Sequence, residues 1–248
     1  MKPRALALAL AALACTPMGA LAGCESTQEK SAKLERIAKR ESAEGARRKA
    51  LAQRARSITR PSAVVEVTSA TVLHSSEGAV AVLTLRNSSA TALRELPVAL
   101  TVYGAGGAKL YRNDAGGLSP TLAAVPLVGA HAEAVWVDDQ VQVSATPLSA
   151  RAEVGEGERV TGAIPAIAIE GARLSEGVAE GSVVNHSDVA QHELVVYALA
   201  RRSGRIVAAG RAVVPQLAAG ASERFQAFLI GEPRGARLEA SAQPTTLG

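Results

Sequence analysis

The spacing of apolar residues changes twice along the chain, and each change predicts a different element. Residues 5–14 are an unbroken run of Ala and Leu. Residues 25–60 are mostly polar, with Leu34, Ile37, Leu51, Ala55 and Ile58 forming a broken stripe at helical spacing. Beyond Pro61 the period falls to two. Val80, Val82 and Thr84 alternate with Ala81, Leu83 and Leu85, and Leu96, Val98, Leu100 and Val102 share one side of the next run. Val183, Leu194, Val196, Ile206, Val213, Phe225 and Ala227 belong to similar runs later. Short alternating runs bounded by Gly, Asn, Ser and Pro predict a mainly β chain folded as sandwiches. Gly104–Gly107 and Arg202–Arg205 read as hairpin turns.

The polar stretch predicts a helical stalk. Ser26-Thr27-Gln28-Glu29 has the Ser-x-x-Glu form of a capping box, and Glu35/Lys39 and Glu44/Arg48 are i, i+4 pairs. Gly45 is a weak point and Pro61 a stop. Glu41 and Arg48 fall in the seam of any heptad, which argues against a long coiled coil and for a spacer.

An internal repeat organises the β region. Arg86-Asn87-Ser88-Ser89 matches Val184-Asn185-His186-Ser187. Leu127, Glu133 and Val135 match Leu217, Glu223 and Phe225, and Pro147-x-x-Ala150-Arg151-x-Glu153 matches Pro233-x-x-Ala236-Arg237-x-Glu239. The repeat predicts two β-sandwich modules, 62–155 and 163–243, with 156–162 as a linker. The first module then carries two insertions, at Gly116–Pro120 and around Asp138-Asp139-Gln140, both candidate functional loops.

The front of the chain supplies an address. Lys2 and Arg4 precede the apolar run, which is too short to span a bilayer of about 30 Å. Thr16-Pro17-Met18-Gly19 follows it, and then Leu21-Ala22-Gly23-Cys24. That last stretch resembles the lipobox of bacterial lipoproteins. The resemblance implies that residues 1–23 are a signal peptide, that Cys24 is acylated and becomes the mature N-terminus, and that the protein is extracytoplasmic and anchored to membrane lipid. Residues 24–61 would then be a basic helical stalk.

A second resemblance lies in the later module. Gly181-Ser182-Val183-Val184-Asn185-His186-Ser187, Ser203-Gly204-Arg205-Ile206-Val207 and Leu217-Ala218-Ala219-Gly220-Ala221-Ser222-Glu223-Arg224-Phe225 resemble the FxLYD-type modules of envelope lipoproteins. The literal Phe-x-Leu-Tyr-Asp string is absent. The resemblance implies a small Ig-like sandwich and brings no catalytic residues.

Composition and charge narrow the chemistry. The chain is 48% hydrophobic but 2% aromatic, so a binding face of stacked rings is excluded. Its two cysteines are Cys15, at the end of the apolar run and within the expected signal peptide, and Cys24, so the mature protein is expected to have no thiol pair for a disulfide or zinc. The formal charge is +4, but residues 25–60 hold 11 Lys and Arg against 5 Glu, whereas residues 61–248 hold 14 basic against 18 acidic. The basicity belongs to the stalk, which makes anionic lipid or wall polymer a candidate partner there and argues against nucleic acid.

No Gly-x-Ser-x-Gly elbow or P-loop occurs. His186, Asp188, His192 and Glu193 gather near one turn, either as a polar loop or as metal ligands, and the polar loop is the simpler account. Asp138 and Asp139 lack the surrounding pattern of a calcium loop. Trp136 is an interface candidate if it points outward and a packing residue if it points inward. We therefore expect no metal, no cofactor and no catalysis. The expected function is that of an anchored interaction or scaffold protein with an envelope partner. The alternative is a small-ligand carrier or sensor binding in the groove between modules.

Overall fold

The computed structural model describes residues 27–56, 58–115 and 117–248. Leu21, Ala22, Gly23 and Cys24, with the rest of the expected signal peptide, lie outside the described residues. So do Ser26 of the expected capping box and Gly116 of the first expected insertion.

One helix precedes the strands, α1 (Thr27–Arg56). It ends at Arg56, ahead of Pro61. Pro61 instead bridges Gly155. Residues 45–248 form one compact unit, distinct from residues 1–44. The last turns of α1 therefore belong to the β body. Ala55 is buried there, the Arg47 guanidinium lies 2.7 Å from a Glu95 carboxylate oxygen, and Arg54 donates to the Glu156 carbonyl. The expected stalk, 24–61, is helical over Thr27–Arg56, and its residues from 45 on lie in the same compact unit as the strands.

The first half contains β1 (Val65–Ser75), β2 (Gly78–Asn87), β3 (Leu93–Tyr103), β4 (Lys109–Arg112), β5 (Ala124–Val128), β6 (Glu133–Val141), β7 (Ser149–Val154) and β8 (Glu158–Arg159). One antiparallel sheet runs β1-β2-β6, and the other gathers β4, β5, β7 and β8 on β3. The second half contains β9 (Ile167–Ser175), β10 (Val178–Asn185), β11 (Gln191–Arg202), β12 (Arg205–Leu217), β13 (Ser222–Phe228), β14 (Ile230–Gly231) and β15 (Arg237–Ala242). Its sheets run β9-β10-β13 and β14-β12-β11-β15. The pairing of the first half is thus repeated, with β10 in the place of β2 and β11 in the place of β3.

The repeated Asn is a structural knot. Asn87 donates to the carbonyls of Thr91 and Gly129 at 2.8 and 2.9 Å, and its carbonyl oxygen accepts from the amide and hydroxyl of Ser89. Asn185 does the same with Val189 and Ala218 at 2.9 and 3.0 Å and with Ser187. Both side chains are fully buried, so the loop carbonyls they satisfy have no water to turn to. The spacing Asn-x-Ser reflects this knot.

Other parts of the sequence alignment shift. In the pairing registers Arg86 faces Glu133 and Val184 faces Ser222, so Trp136 occupies the place of Phe225. The sequence match had placed Val135 there. A one-residue slip exchanges the two faces of a strand, and burial decides between them: Trp136 and Phe225 are both buried. The match of Pro147 with Pro233 is displaced by two residues against the pairing, which keeps the face but moves one pleat. The expected linker 156–162 is also part of the fold. Glu158 and Arg159 pair with β3, and Val160 donates to the Ala92 carbonyl. Gly157 is required there, since a Cβ would stand 2.8 Å from the Arg94 carbonyl oxygen.

Of the two expected insertions, the first is real: β12 is continuous where the first half has β4, an excursion and then β5. Buried Asn113 ties the excursion down, donating to the carbonyls of Val98 and Leu122. The second is a β-bulge within β6 rather than a loop, opposite the irregularity between Ala79 and Ala81.

The halves stack face to face. On β2, Leu83 and Leu85 share a face with Trp136 and pack inside the first sandwich, while Val80 and Val82 point the other way and are equally buried. On β11, Leu194, Val196, Ala198 and Ala200 face the core of the second half. Val195, Tyr197 and Leu199 join the first half's core. Four sheets are thereby layered, with the joint continuous with the first half's core and two smaller clusters inside the second half. At one end the second half is packed with Ala179, Ala198, Ala200, Ala208 and Ala227, so the Ala-rich composition serves close sheet approach.

Asn185→Ala would remove four hydrogen bonds, two to the Val189 and Ala218 carbonyls and two from the Ser187 amide and hydroxyl. We expect a loss of about 3 kcal/mol, read by urea unfolding, since each such bond contributes roughly 0.5–1.5 kcal/mol. A loss below 1 kcal/mol would remove the knot from the account.

Candidate functional site

Two adjacent acids in the apolar run Val135–Val141 break the pattern of that strand. Alternation sends them to opposite faces. Asp138 shares the side of Trp136 and is fully buried in the first sandwich. There the Tyr111 hydroxyl donates to Asp138 Oδ2 at 2.7 Å, and Oδ1 accepts from the Gln140 amide at 2.9 Å across the bulge. Burial raises the Asp138 carboxyl above the ordinary carboxylate range, against the opposing effect of these hydrogen bonds and of Arg211. Burial, then the Asp138 charge, pushes the Tyr111 phenol up.

Asp139 points the other way, into the joint between the halves. Arg211 Nε donates to Asp139 Oδ1 at 2.6 Å, and Nη1 donates to Thr121 Oγ1 at 2.6 Å. The Arg211 side chain is 4% exposed and the Asp139 side chain 23%. Beside this pair the Tyr197 hydroxyl is buried without a partner among the described residues, and its pKa is raised by burial. Gln243 donates from the tail of the second half to the Val135 carbonyl at 3.3 Å. These polar groups are enclosed between packed sheets, so their chemistry is that of a fastener.

The other expected site residues are dispersed. Trp136 is fully buried and points inward, so it offers no surface to a partner. His186 Nε2 lies 3.8 Å from Glu170, with both side chains exposed. Asp188 is exposed on the same turn, and His192 is half-buried with its carbonyl accepting from Thr245 Oγ1 at 2.6 Å. Among the described residues no three His, Cys, Asp or Glu gather as metal ligands would.

Sequence reasoning missed Tyr111, Thr121 and Arg211. Arg211 had a signal of the same kind as the acids, a charge inside the apolar run Val207–Val214. An open cleft of about 890 Å³ runs along the margin of the joint, where Thr68, Thr71 and His74 of β1 face Arg201, Arg205 and Ile206 of the β11–β12 hairpin.

No protein-family model matches the chain, and no curated protein matches it.

Two outcomes follow from the paired acids. Asp139→Ala leaves the Arg211 charge buried and unpaired, and we expect a loss of about 3 kcal/mol in urea unfolding. Asp139→Ala together with Arg211→Met should recover most of it; no recovery would sink the pairing. Asp138 acts through pH. Its folded pKa is raised, so its contribution is complete below the ordinary Asp value of 3.8 and is lost as pH rises through the folded value. Asp138→Asn cannot ionise. The variant should therefore gain in Tm over the native protein as pH rises from 4 to about 8, and a gap that stays constant with pH would contradict the buried-acid account.

Proposed function

We propose that the chain is a lipid-anchored, extracytoplasmic, non-catalytic interaction protein of a bacterial envelope, its head built of tandem Ig-like modules of FxLYD type. The lipobox-like Leu21-Ala22-Gly23-Cys24 after a short apolar run supports the address. The observation that carries the interaction role is the fusion of the two β halves into one body by a shared core and the Asp139–Arg211 fastener. A pre-formed β surface binds a partner without ordering new chain, which lowers the entropic cost of association. The marginal cleft favours the second reading, a carrier or sensor of a small ligand, because it is the open space beside the joint.

Partner capture tests the role. Photo-cross-linking residues placed on the exposed faces of the head should trap one envelope protein in living cells. Cross-links to none, with the cleft protected by a small molecule instead, would favour the carrier. The anchor has its own test. Cys24→Ser should move the protein from the membrane fraction to the soluble fraction or leave it at precursor size. A Cys24→Ser protein of mature size that stays with the membrane would refute the anchor.

A further inference from the structure

The β11–β12 hairpin breaks a pairing rule twice in the same place. Antiparallel strands avoid like charges directly opposite one another. Yet Arg202 faces Arg205 across the hairpin, and Arg201 faces Arg237 across the β11–β15 pair. The backbone of Arg234 also reaches this end, its carbonyl accepting from Arg202 Nη1 at 2.9 Å.

The turn enforces this arrangement. Ser203 and Gly204 have φ of 51° and 77°, the two left-handed positions of a tight hairpin turn. Such a turn sets its two flanking residues side by side as the closing pair. Ser203 carries a Cβ in that region, a conformation that glycine adopts with less strain.

Local compensation is incomplete. Arg201 Nε lies 2.7 Å from a Glu239 carboxylate oxygen. Arg202, Arg205, Arg234 and Arg237 pair with no carboxylate among the described residues, and all four are exposed. Glu133 and Glu232 also line the cleft, beyond ion-pair distance of these groups. The head as a whole carries more acid than base, so this gathering of unpaired arginine runs against the average of its surface.

Local choices that conflict with the fold and gain nothing from it mark functional positions. Guanidinium groups offer planar forks that match phosphate oxygens two at a time. The adjoining cleft wall adds the hydroxyls of Ser69 and Thr71 and the imidazole of His74. We propose that this end of the second half, with Arg202 and Arg205 at its centre, is a binding site for phosphate groups. The phosphate comes either from a lipid headgroup or from a free phosphate compound. The site is separate from the basic helix and needs neither the anchor nor a protein partner.

The test uses the full chain carrying Cys24→Ser. Pyrophosphate is titrated by calorimetry, and vesicles of phosphatidylglycerol are compared with vesicles of phosphatidylcholine. Arg202→Gln with Arg205→Gln should weaken pyrophosphate binding at least about tenfold, the loss of roughly one good charge-assisted contact. Lys33→Gln with Arg36→Gln removes equal charge from α1 and should leave it unchanged. Arg202→Lys with Arg205→Lys keeps the charge and should restore less than half of the lost affinity. Without ligand, the Gln variant should unfold at the same temperature as the native protein or higher, because a like-charge pair is relieved. A matching loss on phosphatidylglycerol vesicles assigns the phosphate to lipid, and a loss with pyrophosphate alone assigns it to a free compound. Equal losses in the hairpin and helix variants, or native affinity in the Gln variant, would overturn the site.

Discussion

Through their middles, β2 and β11 are apolar and buried on both sides. β2 buries Val80 and Val82 on one side and Leu83 and Leu85 on the other, and β11 buries Val195, Tyr197 and Leu199 opposite Leu194, Val196 and Ala198. A sandwich strand normally turns one side to water. These two cannot, so each half must cover the other. Burying a side chain of this size contributes roughly 1.5–3 kcal/mol, and several such residues meet across the joint. Neither half has a complete surface by itself.

Apolar burial alone does not fix how two flat faces are rotated or slid against each other. The Asp139–Arg211–Thr121 contact supplies that direction. Its short bonds hold one residue of β6 to one of β12, and any other docking would leave Arg211 buried without its carboxylate. The adjacent Asp138 performs the same service inside the first sandwich, holding Tyr111 to β6. Two neighbouring acids on one strand thus orient two different interiors.

The sequence revealed what depends on period and punctuation. The strand runs, the hairpins at Gly104–Gly107 and Arg202–Arg205, and the Asn87/Asn185 equivalence follow from alternation and turn chemistry. Register was less legible. Val135 and Trp136 are adjacent apolar residues, and only burial shows that Trp136 is the counterpart of Phe225. The stacking of the halves was visible as unbroken apolar runs such as Ala79–Leu83, but a run buried on both faces has the same composition whether its cover is a helix, a sheet or a partner. The roles of Asp138 and Asp139 depended on Tyr111 and Arg211, which are distant in sequence and joined only by the fold. His186 and Asp188 lie on the loop after Asn185, whereas His192 is on β11.

The two faces that meet at the joint come from different positions in the repeat, one from β1-β2-β6 and the other from β11 and its neighbours. Such a contact has no twofold symmetry. Were the repeat faithful, every joint would leave a fresh copy of each face at its ends, and chains would add to one another without limit, as in a fibre. The outer faces differ from the joined ones. Where the first half presents Val82, Val135 and Val137, the second presents Glu180, Arg224 and Gln226 at the paired positions. Where the second half presents the larger Val195, Tyr197 and Leu199, the first has Pro97, Ala99 and Thr101, with Pro97 buried beside Ile58 and Arg60. The terminal faces thus carry different side chains from the faces that meet at the joint, and a second joint of the same kind would lack its apolar contacts.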